Sequence, residues 1–381
     1  MPITTLAAVT EQPDHTSLGK DHFETLDGLR GSAAILIVIF HIVSMATAID
    51  SPLNLLHHAY LAVDFFFGLS GFVIAYAYDD RRQTLSIRQF LLIRVIRLHP
   101  LVILAALLGL ASYVCDPFAG RLQRVSLVDL SLALVAALLI VPSQALPNRW
   151  TDTHSLNGPA WSLFQEYIGN IAYVLILRHL RTRTLAFCVA FFGAALVVVA
   201  FGQDTLDRGW GWDNLAMGTV RMAFSFTLGL WLFRVRTSLP KACLSWLSLS
   251  VLLLLAILVP DLPRMGGVRV NGLFDAALVI FLFPIIILAG SNSRPGGRML
   301  KACKLAGRLS YSLYITHYPA LYIFLNYVTQ AKPTGQATFL LGILLLILLL
   351  LCAWLFVKFW DEPVRKALRR RVDPEPNETR G

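Results

Sequence analysis

Ten long apolar windows, separated by short polar segments, constrain this chain more than any other feature. Each is close to the roughly 20 residues that a helix needs to cross about 30 Å of hydrocarbon. The windows cover residues 31–49, 60–78, 97–115, 158–177, 184–201, 215–233, 242–260, 272–290, 309–329 and 337–360. Because 56% of the 381 residues are hydrophobic and 15% are charged, too little polar surface remains for a soluble globule. The sequence predicts an all-α polytopic membrane protein with about ten transmembrane helices.

An eleventh apolar run, residues 126–141, is shorter and contains Asp129. Short loops rich in Lys and Arg stay in the cytoplasm. The basic segments are 79–97, 178–183, 234–241, 291–308 and the tail from Arg365. Ten crossings place all of them, with the N-terminus, on the cytoplasmic side, whereas eleven would move several outside. The eleventh run is therefore predicted to be a short re-entrant or peripheral helix, with the polar segment 143–157 on the external side.

The same pattern divides the chain into three parts. We expect a polar cytoplasmic tail over 1–22, a membrane domain over 23–362 and a basic cytoplasmic tail over 363–381 of a multi-pass inner-membrane protein. The net charge of +10 comes from clusters that flank apolar windows, so it indicates membrane topology and gives no support for nucleic-acid binding. The five cysteines have neither disulfide-framework nor metal-ligand spacing, and no metal is expected.

Arg30 and His41 are eleven residues apart in the first apolar window. On a helix this spacing places both side chains on one face, about 16 Å apart along the axis. Counting about 1.5 Å per residue from the span ends places His41, Glu166 and His317 at similar depth near the middle of the bilayer. Titratable groups at that depth are costly and are normally functional or internally paired, so the three are candidate site residues.

Arg94 and Arg97 lie just inside the membrane, three residues apart and so on one helical face. Guanidinium groups bind phosphate oxygens bidentately and keep their charge at any working pH. The pair is a candidate for binding a phosphate-rich cofactor, although ordinary anchoring at the cytoplasmic boundary would also explain it.

Five motifs, in order along the chain, resemble those of the acyltransferase family 3 membrane enzymes. They are Leu26-Asp27-Gly28-Leu29-Arg30 with His41 after ten further residues, the segment 63–72 (VDFFFGLSGF), Arg94-x-x-Arg97, the segment 158–166 (GPAWSLFQE) and the segment 309–319 (LSYSLYITHYP). Any one of these motifs is weak alone, but five in this order across a chain of about ten spans resemble the family over nearly its whole length.

The resemblance implies transfer of an acyl group, commonly acetyl, from a coenzyme A thioester to a hydroxyl of a carbohydrate or glycoconjugate. Such chemistry needs a base, oxyanion stabilisation and a grip on the CoA phosphates. We expect His41 to be the base or a transient acyl carrier and Glu166 to orient or charge-compensate it. Arg30 is the third candidate catalytic residue and, with Arg94 and Arg97, is expected to bind acyl-CoA. Candidate substrate-binding residues are Asp64, Ser70, Trp161, Tyr311 and His317.

The external segment 143–157, with Trp150, Asp152 and His154, is where we expect acceptor contacts. Some family members carry an SGNH-type esterase domain outside the membrane; we expect none here, so that the membrane domain or a separate protein completes the transfer. The partners expected are acyl-CoA, a carbohydrate or glycolipid acceptor and membrane lipid, with no nucleic acid. A transporter or flippase of a lipid-linked sugar is the alternative, since buried midplane charges are also typical of transporters.

Overall fold

The fold is helical throughout the part of the chain that the computed structural model describes, residues 22–47, 55–119, 125–262 and 270–372. Within those ranges the β-structure is limited to one isolated bridge between Asp152 and Gly211. The helices are α1 (Glu24–Thr47), α2 (Ala62–Tyr78), α3 (Ile87–Val114), α4 (Leu127–Leu139), α5 (Ala160–Leu175), α6 (Thr182–Gln203), α7 (Leu215–Val235), α8 (Trp246–Ile257), α9 (Asn271–Ala277), α10 (Phe283–Asn292), α11 (Gly297–Thr316), α12 (Tyr318–Ala331), α13 (Gly335–Phe356) and α14 (Glu362–Val372). Single π-helical turns, Leu278–Leu282 and Val357–Asp361, join α9 to α10 and α13 to α14.

Seven of the described helical stretches are long and apolar enough to cross a membrane. They are Glu24–Thr47, Ala59–Arg81, Ile87–Val114, Thr182–Gln203, Leu215–Ser238, Asn271–Asn292 and Gly335–Val372. The all-α membrane architecture is thus confirmed, whereas the count of about ten is not. The other three predicted windows hold shorter or interrupted helices, because α5 has 16 residues, α8 has 12, and the window 309–329 is divided between α11 and α12.

The break between α11 and α12 falls at His317 and has a clear local cause. Pro319 has no N–H to donate and its ring clashes with the carbonyl four residues earlier, which belongs to Ile315. That carbonyl instead accepts a hydrogen bond from Asn157 Nδ2 at 2.8 Å. A polar residue of the 143–157 segment therefore stabilises the interruption that places His317 between two helices.

Small residues allow two parallel helix pairs to form the centre of the bundle. A Cβ on Gly71 of α2 would overlap the carbonyl of Phe226 in α7, and one on Gly31 of α1 would overlap Ala306 in α11. Close backbone approach at small residues is typical of helix association in membranes. The α1–α11 contact holds α1, which carries Arg30 and His41, beside α11, which ends next to His317.

The helices α3 and α5 run antiparallel, which fixes the course of the segment between them. Gly109, near the end of α3, packs against Leu156, just before α5 begins. Arg94, nearer the start of α3, bonds to Glu166 inside α5. Since α3 ends where α5 begins, the segment between them, which contains α4, starts and finishes at the same end of the bundle. This agrees with the prediction that 126–141 does not add a crossing.

Three of the predicted basic segments, 79–97, 178–183 and 234–241, meet at one end of the bundle, which we call the basic end. Arg234 bonds to Asp79 at 2.6 Å and to the carbonyl of Leu180 at 2.7 Å. Arg178 bonds to the carbonyl of Leu85 at 2.8 Å. The segment 143–157 lies at the opposite end. Of the two predicted tails, residues 1–21 and 373–381 lie outside the described residues.

Candidate active site

The first site residue, Arg30, points from α1 towards α11 near the basic end. Its Nε donates to Ser310 Oγ at 2.9 Å and one Nη donates to the carbonyl of Gly307 at 3.0 Å. Asp27, one turn earlier, lies 3.4 Å away as a counter-charge. The opening of α1 and the second half of α11, where the 309–319 motif begins, therefore meet at this arginine although they are far apart in sequence.

A second cluster joins α2, α3 and α5. Arg94 and Ser70 both donate to the same oxygen of Glu166, at 3.0 and 2.9 Å. The Arg94 side chain is 4% exposed and that of Glu166 is 22% exposed. The Nε of Arg94 is buried and has no hydrogen-bond partner among the described residues. Such an orphaned donor beside a partly open carboxylate can serve an incoming polar ligand.

The arginines form one electrostatic group. Arg94, Arg97 and Glu166 all lie within electrostatic range of Arg30. The Tyr311 hydroxyl, beside the same group, donates to the carbonyl of Leu98 at 2.7 Å. A phosphate-bearing ligand would meet two or three guanidinium groups here.

His41 lies further along α1, beside the break between α11 and α12. Its ring stacks on that of His317, with centroids 5.5 Å apart and planes 25° apart. The Tyr318 ring meets His41 edge-on at 5.1 Å. Two of the three groups predicted at one depth are therefore adjacent.

The hydrogen bonds of His317 define its tautomer. Nδ1 lies 2.7 Å from the carbonyl oxygen of Tyr314 and 3.2 Å from that of Leu313, which can only accept, so Nδ1 carries the proton. Nε2 then carries a lone pair, and it is buried with no partner among the described residues. The ring therefore presents an unused basic nitrogen within the site.

The predicted pairing of Glu166 with His41 is not among the contacts of the described residues, where each side chain has other partners. The Glu166 carboxylate bonds to Arg94 and Ser70, while His41 contacts His317 and Tyr318. The physical reason is that similar depth fixes position along the membrane normal only. Depth does not determine which helices become neighbours, and here α3 and α2 supply the partners of Glu166.

Asp64 and Trp161, both predicted to bind substrate, lie in a buried structural cluster. The Asp64 carboxylate takes two hydrogen bonds at 3.2 Å from Nε of Arg221, and the two side chains are 0% and 1% exposed. The Arg221 guanidinium carbon lies 5.4 Å from the Trp161 ring centroid. Sequence reasoning missed Arg221, although an arginine in the middle of an apolar window was a visible signal.

The 143–157 segment covers the opposite end of the site. Asp152 accepts a hydrogen bond from the Tyr322 hydroxyl at 2.9 Å, and Trp150 is 55% exposed with its ring 6.3 Å from that of Tyr322. His154 is buried, and burial lowers its pKa to about 4. Burial raises the pKa of Asp152 to about 7, against the opposing effects of Tyr322 and Arg149. Trp150 is exposed at the outer rim of the site, while Asp152 and His154 are both buried.

Comparisons of the sequence with known proteins identify the family of this chain. The profile of the family described as "Acyltransferase domain" matches residues 23–358. A Rhizobium radiobacter protein named protein 2 in the picA locus is 36% identical over 168 residues, 40% of this chain and 81% of that protein. Acyltransferase MdmB of Streptomyces mycarofaciens is 32% identical over 187 residues, 46% of each chain.

A Staphylococcus aureus (strain COL) protein, whose name marks it as a proposed O-acetyltransferase, is 22% identical over 378 residues, 90% of this chain and 57% of that protein. The chain thus spans about half the length of the two relatives named for acyl transfer, 46% and 57%. No solved structure is significantly similar. Since the family profile extends over nearly the whole membrane domain, the chain belongs to acyltransferase family 3.

Proposed function

We propose that this protein is a membrane O-acyltransferase that moves an acyl group, most simply acetyl, from acyl-CoA to a hydroxyl of a carbohydrate or glycoconjugate. Family membership supports acyl transfer. The observation that carries the proposal is the position of the His41–His317 pair. It lies between an arginine cluster towards the basic end and a polar, aromatic rim at the other.

The donor would bind at the arginine cluster. Arg94, Arg97 and Arg30 supply the charges that the nucleotide phosphates need, and the buried Arg94 Nε supplies an unused donor. The basic loops beside this cluster favour the cytoplasmic side of an inner membrane, with both termini there. Acyl-CoA would thus enter from the cytoplasm and extend its flexible arm towards His41, which lies about 16 Å further along α1.

His41 would accept the proton of the acceptor hydroxyl while the hydroxyl oxygen attacks the thioester carbonyl. The C–S bond then breaks, the new C–O ester bond remains with the acceptor, and the CoA thiolate takes up a proton. The lone pair at Nε2 of His317 provides a second proton acceptor beside His41. An acyl-histidine route, in which His41 carries the acyl group first, uses the same residues.

The role proposed for Glu166 differs from that expected from sequence. Its carboxylate would hold Arg94 and Ser70 in place for the donor, because those are the groups it contacts. Tyr311, bonded to Leu98 beside the same cluster, would line the donor passage.

The experiment that tests the proposal supplies labelled acetyl-CoA to inverted membrane vesicles containing the wild-type protein. We expect label in envelope glycans as a hydroxylamine-labile ester, and none in vesicles without the protein. Label that is absent after donors of different acyl length and several glycan sources have been tried would reject acyl transfer and favour transport of a lipid-linked sugar.

A further inference from the structure

A cluster of aromatic and charged side chains lies at the opposite end of the bundle from the donor cluster. We call it the Trp150 cluster, and it contains Arg149, Trp150, Asp152 and Tyr322. Neither the arginine group nor the histidine pair includes these side chains. Three observations indicate that they form a ligand site.

The first observation is the backbone that presents Trp150. Asn148 and Trp150 both have left-handed conformations, with φ of 59° and 45°. For a tryptophan this conformation is unfavourable, and such strain persists mainly where the surrounding structure imposes it, often at binding sites. The result is that a large aromatic ring stays 55% exposed at the rim instead of being buried.

The second observation is an unused donor. Arg149 is 4% exposed, and its guanidinium carbon lies 3.8 Å from the Tyr322 ring centroid and 4.9 Å from that of Tyr113. One Nη donates to the carbonyl of Asn148 at 3.0 Å. Its Nε is buried without a hydrogen-bond partner among the described residues. A buried guanidinium held between two rings with a free donor is arranged to receive an acceptor atom from outside the chain.

The third observation is a continuous series of ring contacts that leads to the histidines. The Tyr322 ring meets that of Tyr318 edge-on at 4.9 Å, and Tyr318 meets His41 edge-on at 5.1 Å. The aromatic column therefore runs from the exposed Trp150 to the proposed base. A ligand held at its outer end would lie on the side of His41 away from the donor cluster.

We propose that the Trp150 cluster binds a pyranose ring of the acceptor, which holds the acceptor on the side of His41 away from the donor cluster. This rests on the proposed function. An exposed indole offers a flat apolar face to the C–H face of a sugar ring. The Asp152 carboxyl and the Arg149 guanidinium offer an acceptor and a donor for its hydroxyl groups. The combination favours a polyhydroxylated ring over a simple apolar alcohol.

The test measures binding separately from turnover. Protein in lipid nanodiscs is examined by saturation-transfer NMR with methyl glycosides of glucose, galactose, mannose and N-acetylglucosamine. Variants Trp150→Ala and Asp152→Asn are compared with Trp212→Phe, since Trp212 is also exposed at this end but bonds to the Ser143 carbonyl. His41→Ala is included because it removes the proposed base and leaves the Trp150 cluster intact.

We expect at least one glycoside to receive saturation from wild type, Trp212→Phe and His41→Ala, with at least a fivefold loss in Trp150→Ala and Asp152→Asn. Equal signals from all variants, or no signal from wild type with any glycoside, would overturn the proposal. Binding by wild type without acetyl transfer in the vesicle assay would retain the sugar site and reject the proposed function. Acetyl transfer by wild type, together with unchanged glycoside binding by Trp150→Ala, would retain the proposed function and reject the sugar site.

Discussion

His41 and His317 stack with ring centroids 5.5 Å apart, although 276 positions separate them in sequence. The contact depends on α1 and α11 running parallel, as the packing of Gly28 against Cys303 and of Gly31 against Ala306 shows. It also depends on the helix break at Pro319, which lets His317 turn from α11 towards His41. The chemistry proposed for this pair thus rests on two features of the backbone.

The Arg94–Glu166 pair should contribute measurably to stability. Glu166→Gln leaves Arg94, 3% exposed, without its counter-charge, and removing one partner of a buried pair costs about 2–4 kcal/mol. Denaturant unfolding in detergent measures this loss. Glu362→Gln is the matched control, because the Arg308–Glu362 pair is about 40% exposed on both sides (42% and 41%) and should contribute less than about 1 kcal/mol. Equal losses in both variants would contradict the burial argument.

The Asp64–Arg221 pair should contribute at least as much to the free energy of unfolding as the Arg94–Glu166 pair. Both side chains are buried, so Asp64→Asn leaves a buried arginine unpaired and should destabilise by about 3–5 kcal/mol. The control is Asp261→Asn, since Asp261 is 64% exposed beside His57 and its loss should cost less than about 1 kcal/mol. Monodisperse yield and thermal unfolding in detergent report the difference. An Asp64→Asn protein as stable as wild type would show that this pair does not hold α2 to α7.

Contact between α2 and α7 should not tolerate a methyl group at Gly71. Its Cβ would overlap the Phe226 carbonyl, so Gly71→Ala forces the helices apart and should cost about 1–3 kcal/mol or more. Gly202→Ala in α6 is the matched control, because nothing lies within 4 Å of its Cβ position. Thermal unfolding should shift only for Gly71→Ala. Similar shifts for both glycines would mean that helix propensity, and not packing, determines the effect.

A pH dependence should arise from Asp152. Burial raises its pKa to about 7, so the folded protein keeps a proton that the unfolded chain has already lost. The associated stability is present below the unfolded pKa and is lost as pH rises through about 7. From pH 6 to 8 wild type should lose about 1 kcal/mol relative to Asp152→Asn.

Unfolding midpoints of both proteins across this window measure the effect. The neighbouring His154, with its pKa lowered to about 4 by burial, acts in the opposite direction, mainly below pH 6.5. Its contribution is shared by wild type and variant and cancels in the comparison. Parallel pH profiles would show that Asp152 is ionised throughout.

The sequence was sufficient for the all-α membrane class, because long apolar windows are typical of membrane-spanning helices. It was not sufficient for the number of such helices, because seven of the described helical stretches are long and apolar enough to cross. It also predicted that 126–141 adds no crossing, and the antiparallel packing of α3 against α5 agrees. Helix length was less predictable. The window 158–177 holds a helix of 16 residues, since it contains the loop before Ala160 and ends in a 3₁₀ turn at Leu177–His179.

The contacts between side chains were harder to predict from the sequence than the lengths of the helices. Depth along a helix follows from residue number, whereas the direction in which a side chain points depends on which helices become neighbours. For this reason the adjacency of His41 and His317 was accessible and the pairing of Glu166 with Arg94 was not. The Trp150 conformation depends on tertiary contacts that no local pattern encodes.

The most direct test of the account is the initial rate of acetyl transfer from acetyl-CoA to glycan by His41→Ala, at equal expression with wild type. Because His41 is the proposed base, the rate should fall by about 10²–10⁴-fold. The matched control is His179→Ala, since His179 is an exposed histidine at the basic end, bonded to Arg178, and should keep the wild-type rate. A His41→Ala protein that transfers acetyl within a few-fold of wild type would contradict the central claim.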